Sequence, residues 1–290
     1  MKKIGILYGS EKSFPLELIK YINSKKTEAK ASSIIIGAIK NNDKSNYDVI
    51  YDRISHFVPM YQSYLKMAMY NGIKVINNPN TNCIDNNFFQ TVFARKNKLK
   101  VPKTVLLPSK ELPDGINPEH LHNLMYPINW EEVFDYVGFP ALLKPNKGHN
   151  LFNAYKVYNP SEFFSAYDLT GKTPMILQEN IENDVYYRAF TIGKNDVRIV
   201  EYNPIKPIHL RYNRVESQIS SKLVKEINKI ASTVSDFFEL YFNTVEIAVK
   251  DNVPYIINFL NPAPKCDKEL MWEEDFNWLI EKTGDLLINL

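Results

Sequence analysis

The sequence has few of the residues that build disulfide frameworks, metal clusters and dinucleotide-binding loops. Its 290 residues include two cysteines, five scattered histidines and ten glycines. Cys83 and Cys266 form neither a disulfide framework nor a zinc set, which favours a reducing compartment and a cytoplasmic location. The first strand-to-helix turn, Gly9-Ser10-Glu11-Lys12, lacks the spaced glycines of a dinucleotide fingerprint, so NAD binding there is not expected.

Long apolar runs and an excess of one charge are also missing. No hydrophobic stretch reaches the roughly 20 residues that a membrane-spanning helix needs. The net charge of +2 predicts no strongly basic surface for nucleic acid or for an anionic membrane. What the chain does have is 44% hydrophobic residues, enough for a sizeable core divided into two or three subdomains.

Strand-like and helix-like segments alternate over the first quarter of the chain. The segments are apolar runs at 4–8, 33–39, 47–53 and 74–77, with helical periodicity at 14–23 and 61–70. Alternation of this kind predicts a parallel α/β unit, because each helix carries the chain back to start the next strand in the same direction.

Two apolar runs in the middle of the chain carry the strongest functional signal. In 137–145, a Gly-Pro turn precedes a short strand that ends at Lys144, and the run at 175–181 becomes polar at Gln178. A lysine where a buried strand emerges can hold a phosphate as a point charge. A strand end with free N–H and C=O groups can hydrogen-bond an adenine edge. Two ordinary core strands with a solvated Lys144 would give the same pattern.

The last third of the chain has a different pattern of strand-like and helix-like segments. Strand-like segments lie at 186–192, 197–202, 244–249 and 254–259, and an amphipathic helix spans 222–240. This arrangement predicts an antiparallel sheet crossed by a helix.

Taken in order, these segments resemble an ATP-grasp ligase over nearly the whole chain, most closely the RimK-like branch. The resemblance is carried by 47–79, Val101-Pro102-Lys103-Thr104, Lys144, Gln178-Glu179-Asn180-Ile181, Arg188, Glu246 and Asn261. It implies an α/β Rossmann-like N-terminal (pre-ATP-grasp) domain at 1–85. A two-lobed α+β ATP-grasp domain would follow, with its central lobe at 86–181 and its C-terminal lobe at 182–290.

The resemblance also implies ATP and Mg²⁺ as cofactors, and a carboxylate–amine ligase that acts through an acyl phosphate. It places the nucleotide on Lys144 and on Gln178, Glu179, Asn180 and Ile181, and the metal on Glu246 and Asn261. Arg188 would act on the transferred phosphate. The implied partners are an amino acid, short peptide or other small carboxylic acid together with an amine, and a homo-oligomer is left open.

Two further residues are predicted from their surroundings. Lys147 lies in the loop after the strand lysine and could support the phosphates. Arg211 follows a proline-rich turn and could meet a substrate carboxylate by a bidentate contact, or could equally form a surface salt bridge.

The sequence departs from the family pattern in three places. The loop at 146–153 has one glycine, and Asn86-Asn87 stands where many relatives have Asp-Lys. On the last strand, Asn258 or Phe259 replaces the expected glutamate. Because neighbouring strand residues face opposite sides, only one of the two should face the metal, and Asn258 is the candidate ligand. These departures support an alternative function, a degenerate ATP-grasp protein that binds nucleotide or a partner without ligating.

Overall fold

The first sheet is parallel. The computed structural model of the chain describes residues 1–81, 86–148, 154–213 and 219–290. Strands β1 (Lys2–Leu7), β2 (Ala29–Ser33), β3 (Val49–Asp52) and β4 (Lys74–Ile76) pair in the order β2–β1–β3–β4. Helices α1 (Phe14–Ser24) and α2 (Pro59–Tyr70) connect them. The predicted alternation of strand and helix is therefore present.

The predicted strand at 33–39 is wrong. Strand β2 ends at Ser33, and Ile35 is 95% exposed. The small residues Ala29 and Ala31 take the inward positions, where they pack in the same core as Phe14 and other α1 residues. The bulkier apolar run after them looked more strand-like, but the parallel register with β1 selects the earlier segment.

The second sheet is antiparallel and has its own core. Strands β5 (Thr104–Leu107), β6 (Ala141–Pro145), β7 (Tyr155–Val157) and β8 (Met175–Glu179) pair in the order β5–β8–β6–β7. Helices α4 (Trp130–Val137) and α5 (Pro160–Tyr167) accompany it, whereas α3 (Asn87–Lys96) buries Phe93 and Ala94 in the core of the third sheet. Leu143, Leu177 and Phe163 lie in its buried cluster.

The third sheet is also antiparallel, as predicted. Strands β9 (Val185–Ile192), β10 (Asp196–Tyr202), β11 (Tyr212–Asn213), β12 (Phe242–Lys250) and β13 (Val253–Asn258) pair in the order β11–β10–β9–β12–β13. Helix α6 (Ser221–Phe237) covers one face. A terminal helix that the sequence analysis did not predict, α7 (Glu273–Asn289), packs against α1. None of the described helices combines the length and apolar composition needed to cross a membrane.

The first and third sheets share one hydrophobic core. The ring of Phe14 from α1 meets Phe242 of β12 and Phe276 of α7, with centroids 6.5 and 6.3 Å apart. Gly284 allows α7 to pack closely against α1, because a Cβ at this position would collide with the Tyr21 ring of α1. Since the N-terminal unit does not bury its apolar surface alone, a separate Rossmann-like domain at 1–85 stays a prediction, as do the other domain boundaries.

Polar contacts reinforce this shared core. Asn77, directly after β4, donates to the Phe242 carbonyl at 2.7 Å and accepts from the N–H groups of Tyr241 and Phe242. The Asp267 carboxylate accepts from the N–H groups at the start of α1, including that of Phe14 at 3.1 Å. A carboxylate at a helix N-terminus satisfies donors that have no partner within the helix.

A buried ion pair lies in the same region. Arg53, whose side chain is 0% exposed, binds Glu11 at 2.6 Å and donates to the Tyr51 hydroxyl at 2.7 Å. It also donates to the Pro264 carbonyl at 2.7 Å, which joins the first sheet to the chain that follows β13. Its donors are thus divided between the first sheet and the C-terminal segment.

Candidate functional site

A cavity of about 300 Å³ lies between the second and third sheets. Strands β6, β7 and β8 form one wall, β12 and β13 form the other, and Pro204-Ile205 contribute to the rim. Seven of the eleven predicted site residues line it: Lys144, Gln178, Glu179, Asn180, Ile181, Glu246 and Asn258. Residues far apart in the sequence therefore converge on one space, as a ligand site requires.

Lys144 reaches the cavity because of the alternation in β6. Ala141 and Leu143 face the core of the second sheet, so Leu142 and Lys144 face the cavity. The Lys144 Nζ donates to the Ile257 carbonyl on the opposite wall at 3.4 Å. Burial lowers the pKa of Lys144 to about 8, and the nearby Glu246 carboxylate partly offsets this shift.

This pKa predicts how ATP binding depends on pH. If Lys144 holds phosphate as the ammonium, ATP affinity without magnesium should fall as pH rises from about 7 to about 9, because a lowered pKa means earlier proton loss. Isothermal titration calorimetry at several pH values measures the effect. The Lys144→Ala protein is the control, since its weaker binding should lack this loss. A parent affinity that does not fall over this range would contradict the prediction.

The predicted hinge spans the end of β8 and the two residues that follow it, and all four of its residues line the cavity. Gln178 Nε2 donates to the Thr104 hydroxyl at 2.9 Å, and the Glu179 carboxylate accepts from the Lys103 N–H at 3.0 Å. The Asn180 N–H donates to the Pro140 carbonyl at 3.2 Å, where β8 has already ended. The side chains of Gln178 and Glu179 and the N–H of Asn180 therefore already have partners within the second sheet and the segments that flank its strands.

Glu246 and Asn258 face each other across the β12–β13 pair. Both line the cavity, whereas Phe259 is 3% exposed and packs in the core beside α6. Of the two orientations considered for this strand, the one with Asn258 inward is observed. The register shifts between Glu246 and Ile247, and this irregularity accompanies the presence of both Ile257 and Asn258 in the cavity wall.

Glu246 and Asn258 supply some, but not all, of the oxygen ligands that a hard cation needs. One carboxylate and one amide oxygen suit Mg²⁺, which usually keeps several waters and relies on substrate phosphates for further ligands. Among the described residues, no group of three or more His, Cys, Asp or Glu side chains could hold a metal ion. Glu246 and Asn258 therefore fit a magnesium ion that arrives with a nucleotide better than a site that binds the metal alone.

Arg188 lies behind Glu246. Its side chain is 4% exposed and does not line the cavity. One terminal nitrogen binds the Glu246 carboxylate, the other donates to the Tyr212 hydroxyl, and the guanidinium carbon lies 3.4 Å from the centroid of the Tyr202 ring. Burial alone would lower the pKa of Arg188, but Tyr212, Glu246 and Tyr202 together raise it, so the group stays charged.

Three other predicted residues lie outside the cavity wall. Lys147 is exposed. The Arg211 Nε donates to the Lys206 carbonyl at 2.8 Å, and Nη1 donates to the Tyr202 hydroxyl at 3.3 Å. The side-chain oxygen of Asn261 accepts from the Ala263 N–H at 3.2 Å, in the turn after β13. Roles for these side chains stay predictions, and residues 149–153 of the predicted phosphate loop lie outside the described residues.

Lys156 and Asn87 line the cavity wall although neither was predicted as a site residue. Lys156 pairs with Leu142 across β6 and β7, so it lies on the same face as Lys144 and adds a second cation. The alternation Tyr155-Lys156-Val157 was the available signal, but a three-residue strand gives little periodicity. Asn87 donates to the carbonyls of Pro145 and Gly148 at 3.0 and 3.2 Å, which ties the start of α3 to the end of β6.

Comparisons with known proteins place this arrangement in a known fold. No family model matches the sequence, and no curated protein matches it. The structure is similar to a D-alanine–D-alanine ligase from Bacillus anthracis complexed with ATP, with a TM-score of 0.69 and 16% identity over 100% of this chain and 96% of that chain. It is similar to the VanG D-Ala:D-Ser ligase from Enterococcus faecalis, with a TM-score of 0.69 and 14% identity over 99% of each chain.

A RimK domain ATP-grasp protein from Sphaerobacter thermophilus is similar to the same degree. Its TM-score is 0.69 at 12% identity, over 99% of this chain and 98% of that chain. The prediction of an ATP-grasp fold is confirmed, because these likenesses span the whole chain. The RimK-like branch stays a prediction, since the D-alanine ligases match equally well.

Proposed function

We propose that this protein is an ATP-dependent carboxylate–amine ligase that acts through an acyl phosphate. The observation that carries the proposal is the one cavity in which Lys144, Asn180-Ile181 and Glu246 meet from two facing sheets. The cations suit the phosphates of ATP, a strand-end backbone suits its base, and the carboxylate suits a metal ion bound to the phosphates. The solved ligases with the same fold support the reaction class.

In this mechanism the residues mainly position and neutralise. Lys144 and Lys156 would hold the phosphates, and the Asn180 carbonyl and the Ile181 N–H would hydrogen-bond the adenine. Phosphoryl transfer to the acid needs charge neutralisation more than covalent help, which the two lysines supply. Attack of the amine on the acyl phosphate then forms the amide and releases phosphate. Magnesium, held by Glu246 and Asn258, would neutralise phosphate charge.

Release of ADP tests the proposal. A thermal-shift assay with ATP and magnesium first measures binding, and pooled amino acids and small peptides are then screened for ADP release above the ATP-only rate. We expect ATP to stabilise the protein and at least one acid–amine pool to accelerate ADP release. Failure of ATP to stabilise the protein would reject the proposal.

Arg188→Met should lower the rate of ADP release with little change in ATP affinity, if Arg188 acts on the transferring phosphoryl group.

The buried position of Arg188 favours a second candidate function, that of a protein that binds ATP without ligating. Because this guanidinium is buried against tyrosines and Glu246, a protein that binds ATP without ligating would need no change in the observed arrangement. Stabilisation by ATP without acid-dependent ADP release in any pool would favour this binding protein. The substrates, the cytoplasmic location, the absence of nucleic-acid and membrane partners and the oligomeric state stay predictions.

Metal binding gives a further prediction about Asn258. An aspartate at this position would add a second carboxylate opposite Glu246, and carboxylates bind Mg²⁺ more strongly than amides do. Asn258→Asp should therefore raise magnesium affinity by about tenfold in the presence of a non-hydrolysable ATP analogue. Calorimetric titration measures it, with Asn252→Asp, in the exposed turn between β12 and β13, as a control outside the cavity wall. Equal affinities of parent and Asn258→Asp would remove Asn258 from the metal site.

A further inference from the structure

Two tyrosines enclose the Arg188 guanidinium. Tyr202 covers its face at 3.4 Å, and the Tyr212 hydroxyl accepts a hydrogen bond from one terminal nitrogen. A charged group that stacks on an aromatic ring and is removed from water gains a favourable cation–π interaction. The remaining terminal nitrogen binds Glu246, while Nε has no hydrogen-bond partner among the described residues. The guanidinium is thus held on three sides and has one donor left over.

Strand pairing fixes this arrangement. Arg188 lies directly opposite Glu246 in the β9–β12 pair, and Tyr202 lies directly opposite Tyr212 in the β10–β11 pair. In the β9–β10 pair Arg188 lies opposite Val200, and Tyr202 is two residues further along β10 on the same face. The tyrosine pair therefore lies diagonally from Arg188 and Glu246 on one face of the sheet. This arrangement is set by backbone register and does not depend on flexible loops.

Both tyrosines are anchored at their outer ends. The Tyr212 hydroxyl donates to the Lys265 carbonyl at 2.8 Å, so its lone pairs are free to accept from Arg188. The Tyr202 hydroxyl accepts from Arg211 at 3.3 Å, and the two rings lie 4.9 Å apart. Because the tyrosines are held in place, rotation of Arg188 away from Glu246 also breaks its hydrogen bond to Tyr212 and its stacking on Tyr202.

The consequence falls on Glu246, which lines the cavity. Its carboxylate already has a cationic partner, held in place by the tyrosines. A second cation at the same carboxylate would be repelled by the guanidinium, and this repulsion is strong where water is largely excluded. Nucleotide phosphates would supply the negative charge that offsets it. The arrangement therefore makes metal binding depend on prior or simultaneous nucleotide binding.

We propose that Tyr202 and Tyr212 are positioning residues that hold Arg188 on Glu246 and so keep magnesium out of the nucleotide-free site. The inference rests on the proposed function, because it takes Glu246 as a magnesium ligand. It adds an order of binding and assigns roles to two tyrosines that the sequence patterns did not single out. The low metal affinity of the free protein then comes from an occupied carboxylate and not only from a missing second one.

Magnesium titration of the nucleotide-free protein tests the inference without any catalytic assay. Arg188→Gln should bind Mg²⁺ about tenfold more tightly than the parent, and Tyr202→Leu and Tyr212→Phe should show gains of about threefold. Tyr202→Phe keeps the ring face and should bind as the parent does. Tyr212→Phe removes one oxygen, so it keeps the test available if the larger truncations do not fold. With a non-hydrolysable ATP analogue present, the differences should shrink.

Two controls identify the site that responds. In the Arg188→Gln/Glu246→Gln double variant the gain should vanish, which excludes magnesium binding elsewhere. Arg198→Gln removes a cation from the exposed surface of the same sheet, where Arg198 pairs with Glu274 and Asp275, and should leave the affinity unchanged. Unchanged or weaker magnesium binding by Arg188→Gln and Tyr212→Phe overturns the inference while leaving the proposed function intact. Loss of ATP-induced stabilisation in the parent rejects the proposed function itself.

Discussion

Replacing Lys144 with alanine is expected to remove most of the thermal stabilisation that the proposed function predicts for ATP. A charge-assisted contact to phosphate contributes about 1.5–3 kcal/mol, which corresponds to roughly tenfold to a hundredfold in affinity. The ligand-free variant should melt at or slightly above the parental temperature, because burial that lowers the pKa of Lys144 means that its charge costs stability in the folded state. Its contact with the Ile257 carbonyl, at 3.4 Å, is also a long one.

Lys147→Ala is the matched control for this experiment. Lys147 carries the same charge three residues later, but it is exposed and lies outside the cavity wall. Its removal should change ATP affinity by less than about threefold, since exposed charges act through screened solvent. Thermal shift and calorimetry with ATP measure both variants. Parental ATP affinity in folded Lys144→Ala would remove this lysine from the site, and a large loss in Lys147→Ala would restore the predicted role of the loop.

The largest effect on stability is expected from Arg53→Met. This change leaves the Glu11 carboxylate largely buried without its cation, and removing one partner of a buried ion pair typically costs about 3–5 kcal/mol. It also removes the hydrogen bonds to the Tyr51 hydroxyl and the Pro264 carbonyl. Urea unfolding followed by far-UV circular dichroism should therefore show a much lower midpoint than the parent.

Two comparisons separate the buried charge from the loss of packing. Lys172→Met breaks an ion pair on the same protein whose acidic partner Asp114 is 93% exposed, and it should cost less than about 1 kcal/mol. Adding Glu11→Gln to Arg53→Met should recover part of the lost stability, because the unpaired carboxylate is then gone. An Arg53→Met protein as stable as Lys172→Met would show that the Glu11 pair contributes little.

Local patterns in the sequence predicted the parts of the site that depend on one strand. Lys144 was placed from the apolar run that precedes it, and Asn258 was set against Phe259 by the period of two along a strand. Lys156 was missed because three residues give too little periodicity, and its role appears only when the β6–β7 register is known. The start of β2 was missed for a similar reason, since small alanines are selected by the helix that covers them.

Residues that act through distant partners were harder to predict. Arg53 ends a strand where ligand contacts are common, yet its partners include Glu11 and the Pro264 carbonyl, which no local pattern connects to it. Tyr202 ends a predicted strand and Tyr212 lies outside the predicted strands, and only the pairing of β10 with β11 brings both near Arg188. The position of helix α7 depends on its packing against α1, and this contact joins segments at opposite ends of the chain.

The shared core of the first and third sheets has a consequence for how the cleft opens. These two sheets are joined by Asn77, by Arg53 and by the aromatic contacts of Phe14, whereas the second sheet buries its own separate cluster. Opening of the cleft is therefore expected to be a rotation of residues in the second sheet against a fixed remainder. The hinges would be the two connections between the second sheet and the rest of the chain, near Lys103 and Ile181. The cavity wall that carries Lys144 would then move, while the wall that carries Glu246 would keep its position.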